Sequence, residues 1–239
     1  MPALCRQARG DVKIRGMKLC ILDNDKLDPE MAPVFGSYAA MTERLLREAG
    51  FEGDVDVFHP YPGHYPERWD DYGAVLLTGS RADAFSDAPW VVALREQVTQ
   101  LLARRHKLVG ICFGHQLIAL CLGAPVGRAP QGWCMGRMTY QWIGASLPLL
   151  ASHQDQVLAL PPGATLMAEH PQCPVAAYRV EDRVWCVQPH PEFVPDYSRF
   201  LLNKRREQLG EAAWAEGLAS LSLGHEGLSV AREIVRFIS

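Results

Sequence analysis

Cys112 stands in the one segment whose residue types and spacing could make a nucleophile: Leu108-Val109-Gly110-Ile111-Cys112-Phe113-Gly114-His115-Gln116. An apolar run ends at the cysteine, glycines stand two residues before and after it, and a helical pattern begins at once. A sharp strand-to-helix turn of this kind can hold a side chain in a strained, accessible position at the carboxyl edge of a sheet. Gly110 and Gly114 would allow neighbouring backbone closer than a Cβ permits. The helix N-terminus beneath the sulfur favours thiolate over thiol. The N–H of Phe113 would point at an oxygen gaining charge in the transition state. Taken alone, the pattern fits a buried cysteine before a tight turn equally well.

A thiolate nucleophile needs a base that can later return a proton to the leaving amine, and histidine is suited to that work. Gln188-Pro189-His190-Pro191-Glu192-Phe193 supplies one. Glu192 follows two residues on in a Pro-flanked bend, close enough to orient the imidazole. The apolar run Val184-Trp185-Cys186-Val187 would deliver this segment to the same sheet edge. An isolated His-Pro-Glu is by default a surface loop; its pairing with the cysteine segment is what gives it weight.

Together the strings GICFGHQ and QPHPE resemble the nucleophile and Q-x-H-P-E motifs of the class I glutamine amidotransferases. The resemblance runs in order through most of residues 18–195. It implies a flavodoxin-like α/β fold and a Cys112–His190–Glu192 triad that cleaves a γ-glutamyl amide through a γ-glutamyl thioester. It also implies that the glycine closing Leu77-Thr78-Gly79-Ser80 pairs with Phe113 as oxyanion donor. The family's turn there is richer in glycine and proline than the Arg81-Ala82-Asp83-Ala84 that follows here. Ala151-Ser152-His153-Gln154-Asp155-Gln156-Val157 resembles the S-H-x-D-x-V segment of the GMP synthase glutaminase domain. By that likeness, backbone around Ser152, His153 and Gln154, with the Gln116 side chain, holds the α-amino and α-carboxylate groups of the substrate. Gln154 replaces the family's usual glycine, and a simple turn closed by His153 and Asp155 is the plainer alternative. No metal or organic cofactor is expected.

The elements that must position these residues are legible as a pattern. Buried-strand runs occur at Lys18–Leu22, Asp54–Phe58, Ala74–Leu77 and Leu108–Ile111, with helical spacing over 31–49, 89–105 and 115–122. Apolar strands without strict alternation indicate a sheet covered on both faces, so the expected fold is a mostly parallel sheet sandwiched by helices. From Pro125 to Gln188, pieces such as Met138–Ile143, Val175–Val180 and Val184–Val187 suggest an added β-meander. Residues 195–239 read as a C-terminal helical extension interrupted near Gly210 and Gly224. The basic run Lys204-Arg205-Arg206 reads as a solvated helix face, and Trp69, Trp90, Trp133 and Trp142 as core or rim packing. His115 is not expected to be the base, because it lies in the first turn of the helix after Cys112.

Composition bounds the rest. The 239 residues are 48% hydrophobic and 21% charged, which suits one soluble domain over 18–239. Residues 1–17 are either an N-terminal arm or an extension ahead of a start at Met17. A net charge of −3 gives no electrostatic case for nucleic acid or an anionic membrane. The leader has no apolar core and no membrane-length apolar run follows, so a cytoplasmic location is expected. Seven cysteines without CxxC spacing argue against a disulfide framework or zinc site. The expected partner is a small γ-glutamyl substrate. No ATP-binding signature accompanies it, so ammonia transfer would need a separate synthase subunit. A catalytically silent binding protein on the same fold is the remaining alternative.

Overall fold

The computed structural model describes residues 17–239; the N-terminal arm up to residue 16 lies outside the described residues. The strands are β1 (Lys18–Leu22), β2 (Asp54–Phe58), β3 (Ala74–Leu77), β4 (Lys107–Ile111), β5 (Val126–Arg128), β6 (Cys134–Trp142), β7 (Ala145–His153), β8 (Asp155–Val157), β9 (Thr165–His170), β10 (Cys173–Val180) and β11 (Val184–Val187). The helices are α1 (Ala32–Phe35), α2 (Tyr38–Glu48), α3 (Pro89–Ala103), α4 (Phe113–Cys121), α5 (Pro195–Lys204), α6 (Arg206–Leu209), α7 (Glu211–Ser220) and α8 (Gly227–Ile238).

Nine strands form one sheet in the order β2-β1-β3-β4-β11-β10-β9-β6-β7, and β5 pairs with β8 separately. The strands β2, β1, β3, β4 and β11 are mutually parallel. This is the doubly wound order in which ligands bind beyond the carboxyl ends of the strands. The pairings from β11 onward to β7 are antiparallel. Val184–Val187 therefore belongs to the parallel half beside β4 rather than to the meander, and β7 and β9 fill out the meander instead.

Alternation along the buried strands divides the core. Leu19 and Ile21 pack with Ala39 and Leu46 of α2 and Val230 and Ile234 of α8. Cys20 and Leu22 pack with Leu94 and Val98 of α3 and Leu117 and Ile118 of α4 on the other face. A third cluster gathers Phe35, Tyr38, Leu150, Phe193, Tyr197 and Leu202 between α1, α2 and α5. The helix expected over 31–49 is broken at Gly36, which adopts φ 79°. Ser37 then starts α2 afresh by accepting the Ala40 N–H at 3.1 Å. Among the described residues no helix is long and apolar enough to cross a membrane.

Candidate active site

Parallel pairing brings the ends of β3, β4 and β11 to one edge: Leu77 is in register with Gly110, and Ile111 with Val187. The chain leaves these ends as Thr78-Gly79, Cys112 and Gln188-Pro189-His190. Cys112 holds φ 52° and ψ −102° and is the N-cap of α4. A non-glycine residue there stores of order 1–3 kcal/mol of strain, which surrounding contacts must hold. They do so on both sides: the Cys112 N–H donates to Val187 O at 2.9 Å, and Cys112 O accepts from the Gln116 N–H at 3.0 Å. A Cβ on Gly110 would lie 2.6 Å from the backbone of Gly114, and one on Gly114 would lie 2.4 Å from Leu77 O. The two glycines thus permit the close approach of β3, β4 and α4 that makes the turn.

His190 and Glu192 arrive from β11. The imidazole Nδ1 and Glu192 Oε1 are 2.7 Å apart. Both residues are buried. The loop is pinned by the His190 N–H, which donates to Leu150 O of β7 at 2.8 Å. Phe193 stacks on the imidazole with ring centroids 3.8 Å apart and planes 7° apart. Tyr197 stands edge-on to Phe193 at 4.8 Å. Burial alone would disfavour the imidazolium, but the charge of Glu192 and then that of Cys112 outweigh it and raise the His190 pKa.

Gly79 fits against both Cys112 and His190. A Cβ there would fall 2.8 Å from Cε1 of His190 and 3.7 Å from Cβ of Cys112. Its loop is stapled to β1 by Asn24, whose N–H donates to Thr78 Oγ1 and whose Nδ2 donates to Thr78 O, each at 2.9 Å. This clamp had no sequence signature, because Asn24 and Thr78 meet only through strand pairing. Phe113 is the first residue of α4, so its N–H is free of helical bonding. Its ring stacks on Trp90, centroids 5.7 Å apart.

The sulfur opens into a cavity of about 180 Å³ lined by Ser80, Arg81, Gln116, Trp133, Ser152 and Arg205, among others. Gln116 Nε2 donates to Asp155 O at 2.8 Å and to Gln188 Oε1 at 3.0 Å, which fixes the amide at the cavity floor. Ser152, His153 and Gln154 also line it. Gln154 Oε1 accepts from Arg128 at 2.8 Å. Burial and then the nearby His190 lower the His153 pKa to about 3, so this ring is neutral. Burial and then Asp83 raise Asp155 to about 6, against the opposing charge of Arg128. His115 is wholly buried against Tyr178, with burial and then His153 lowering its pKa to about 3. It is not among the residues that line the cavity beside Cys112. Cys134 is buried and its thiol pushed up to about 11 by that burial.

Arg205 corrects the sequence reading. The basic run Lys204-Arg205-Arg206 is not uniformly a solvated face: Arg205 turns into the cavity and lies over the Trp133 ring, 4.9 Å from its centroid. Sequence position alone could not separate Arg205 from its two neighbours, because α5 ends at Lys204 and the helical phase is lost there.

The Glutamine amidotransferase class-I family matches residues 34–204. Gamma-glutamyl peptidase 3 of Arabidopsis thaliana is 36% identical over 175 residues, spanning 66% of this chain and 70% of that one. The GMP synthase [glutamine-hydrolyzing] of Aeropyrum pernix is 32% identical over 165 residues, spanning 66% of this chain and 31% of the longer protein. Among solved structures, a glutamine amidotransferase from Thermotoga maritima superposes with a TM-score of 0.70 at 18% identity, covering 93% of this chain and 96% of that one.

Proposed function

Because the chain belongs to the class I glutamine amidotransferase family, we propose that it is an amidohydrolase that cleaves γ-glutamyl amide bonds with Cys112 as nucleophile. The observation that carries this reading is the joint placement of strained Cys112, the His190–Glu192 pair and Gly79 at one sheet edge. The sulfur gives up its proton to His190 and attacks the γ-carboxamide carbon. The N–H groups of Gly79 and Phe113 receive the oxyanion. His190, held by Glu192, then protonates the leaving amine as the C–N bond breaks, which leaves a γ-glutamyl thioester. Water enters, loses a proton to His190 and attacks the thioester. Glutamate departs and the thiol is restored. Gln116 and the backbone of Ser152, His153 and Gln154 seat the α-amino and α-carboxylate groups. Every step is acid–base and nucleophilic chemistry that these side chains can supply themselves.

A second reading, a glutaminase subunit that passes ammonia to a separate synthase chain, rests on the likeness to GMP synthase. It is favoured if glutaminase turnover appears only when a synthase subunit is added.

The test is direct. A diazo-ketone analogue of glutamine should alkylate one site, located by peptide mass at Cys112. Cys112→Ala should lose both labelling and glutamate release, by about 10³-fold or more, the scale of removing a covalent nucleophile. Glutamate release that survives Cys112→Ala would overturn the mechanism. A wild-type chain that is neither labelled nor active would instead be a silent binding protein on this fold.

A further inference from the structure

A second cavity, of about 380 Å³, adjoins the one beside Cys112. It lies at the carboxyl ends of parallel strands, where sheets of this order bind ligands. Asp23 and Asn24 follow β1, His59 follows β2, and Ser80 lies just beyond β3. Ser80, Arg81 and Ala82 line both cavities, so one loop borders the two. Cys112 and residues 152–154 line the first and not the second.

The wall of this second cavity is short of donors. Asp23 and Asn24 are 3% and 1% exposed, and Oδ1 of each is buried without a hydrogen-bond partner among the described residues. Asn24 donates its N–H and its Nδ2 to Thr78, which orients the amide and leaves Oδ1 to accept. The nearby cations do not fill the gap. Arg81 is held by Asp25 through Nε and Nη2, both at 2.9 Å, and Lys26 is exposed. Burial raises the Asp23 pKa against the smaller opposing effects of Ser37 and His59. Buried acceptors without donors are costly, and a buried carboxylate without a cation more so. Much of the remaining wall is aromatic. Tyr61 and Trp90 meet edge to face with centroids 6.0 Å apart, and His59 lines the cavity with them. A carboxylate and an amide oxygen set among aromatic rings match an ammonium on an apolar body: its N–H groups supply the missing donors, and the rings attract its charge.

We propose that this cavity binds an organic ammonium, a primary amine on a short alkyl or arylalkyl body, with Asp23 and Asn24 as acceptors and Trp90 and Tyr61 as walls. Two links run from it to the proposed oxyanion donors: Trp90 stacks on Phe113, and Ser80 follows Gly79. The ammonium is either a free ligand or the far end of a γ-glutamyl substrate, and the second source alone rests on the hydrolase reading above.

Titration calorimetry with phenethylamine and with phenylethanol, its neutral analogue, tests the site without any turnover. At neutral pH the amine should bind tighter by about 10-fold or more, the scale of a hydrogen bond to a charged group. Asp23→Asn should abolish that preference. Tyr61→Ala, at a residue 58% exposed, should keep the wild-type Tm. It should weaken amine binding by roughly 2- to 5-fold, the scale of an exposed cation–π contact, and it decides alone where Asp23→Asn does not fold. Absence of amine binding, equal affinity for amine and alcohol, a preference that survives in a folded Asp23→Asn, or unchanged binding in Tyr61→Ala overturns the proposal. Hydrolysis then separates the sources, with γ-glutamyl amides of straight-chain diamines of increasing length compared with γ-glutamyl alkylamides of the same lengths. A preference for the diamine series that Asp23→Asn removes makes the ammonium the substrate's own; equal rates beside tight amine binding make it a free ligand. A chain that binds phenethylamine but cleaves no γ-glutamyl amide would remove the hydrolase reading and leave this site standing.

Discussion

At the scale of single residues, His190 carries opposing electrostatic demands. Its burial disfavours charge, yet Glu192 and Cys112 overcome this and raise the pKa to about 10. An unfolded imidazole titrates near about 6.5. A histidine whose folded pKa is the higher one contributes stability that is fully present below the unfolded value and is lost as pH rises through the folded one. The contribution of this pair should thus be intact below about pH 6.5 and gone above about pH 10. Glu192→Gln removes a main source of the upward shift. Urea unfolding of wild type and Glu192→Gln should then show a wider stability gap at pH 6 than at pH 10. A gap independent of pH would mean that the carboxylate acts through packing and hydrogen bonding alone. The sequence could reveal this pair because His190 and Glu192 are two residues apart in a proline-fixed bend. It could not reveal the Phe193 stack, the Asn24 clamp or the inward turn of Arg205. Each of those depends on which distant element arrives beside it.

At the scale of elements, the His190–Glu192 loop is shaped from outside by the start of α8. The Glu226 N–H donates to Pro148 O of β7 at 2.7 Å. A Cβ on Gly227 would fall 2.2 Å from Pro191 O, backbone that cannot move without displacing its neighbours His190 and Glu192. Gly227→Ala should therefore cost about 1–3 kcal/mol, the range for overpacking, and lower kcat by more than the folded fraction explains. Gly163→Ala is the matched control: it strains a φ of 72° but meets open space, so stability should fall without loss of kcat per folded molecule. Equal effects on kcat from the two would separate α8 from the His190–Glu192 loop. The sequence pattern located the parallel strands closely, because a doubly covered strand must be apolar along its length. It missed β7 and β9 for physical reasons. Pro148 interrupts β7, which an edge strand tolerates. Thr165-Leu166-Met167-Ala168-Glu169-His170 contains good helix formers, and becomes a strand through its partners β10 and β6.

At the scale of the whole molecule, the family match ends at residue 204, while the packing does not. Val230, Ile234, Val235 and Ile238 of α8 lie in the same core cluster as Leu19, Ile21 and Val109 of the sheet. Lys107 Nζ donates to Phe237 O at 2.9 Å, and Arg137 Nε to Gly224 O at 2.7 Å, tying both halves of the sheet to the C-terminal segment. Each of the four α8 side chains is worth about 1.5–3 kcal/mol on burial, so together they supply roughly 6–12 kcal/mol. That is the size of the entire net stability of an ordinary domain. Residues 18–239 are therefore proposed to be one cooperative unit, with the C-terminal helices as part of the core rather than an appendage. Thermal unfolding followed by far-UV circular dichroism and by tryptophan fluorescence should give one coincident transition, since Trp142 and Trp185 lie in the cluster that α8 covers. A chain ending at residue 204 should fail to fold, and so lose γ-glutamyl hydrolysis completely. Two separated transitions, or a soluble and active 17–204 fragment, would show instead that the sheet and the edge carrying Cys112 and His190 stand without the helices that enclose them.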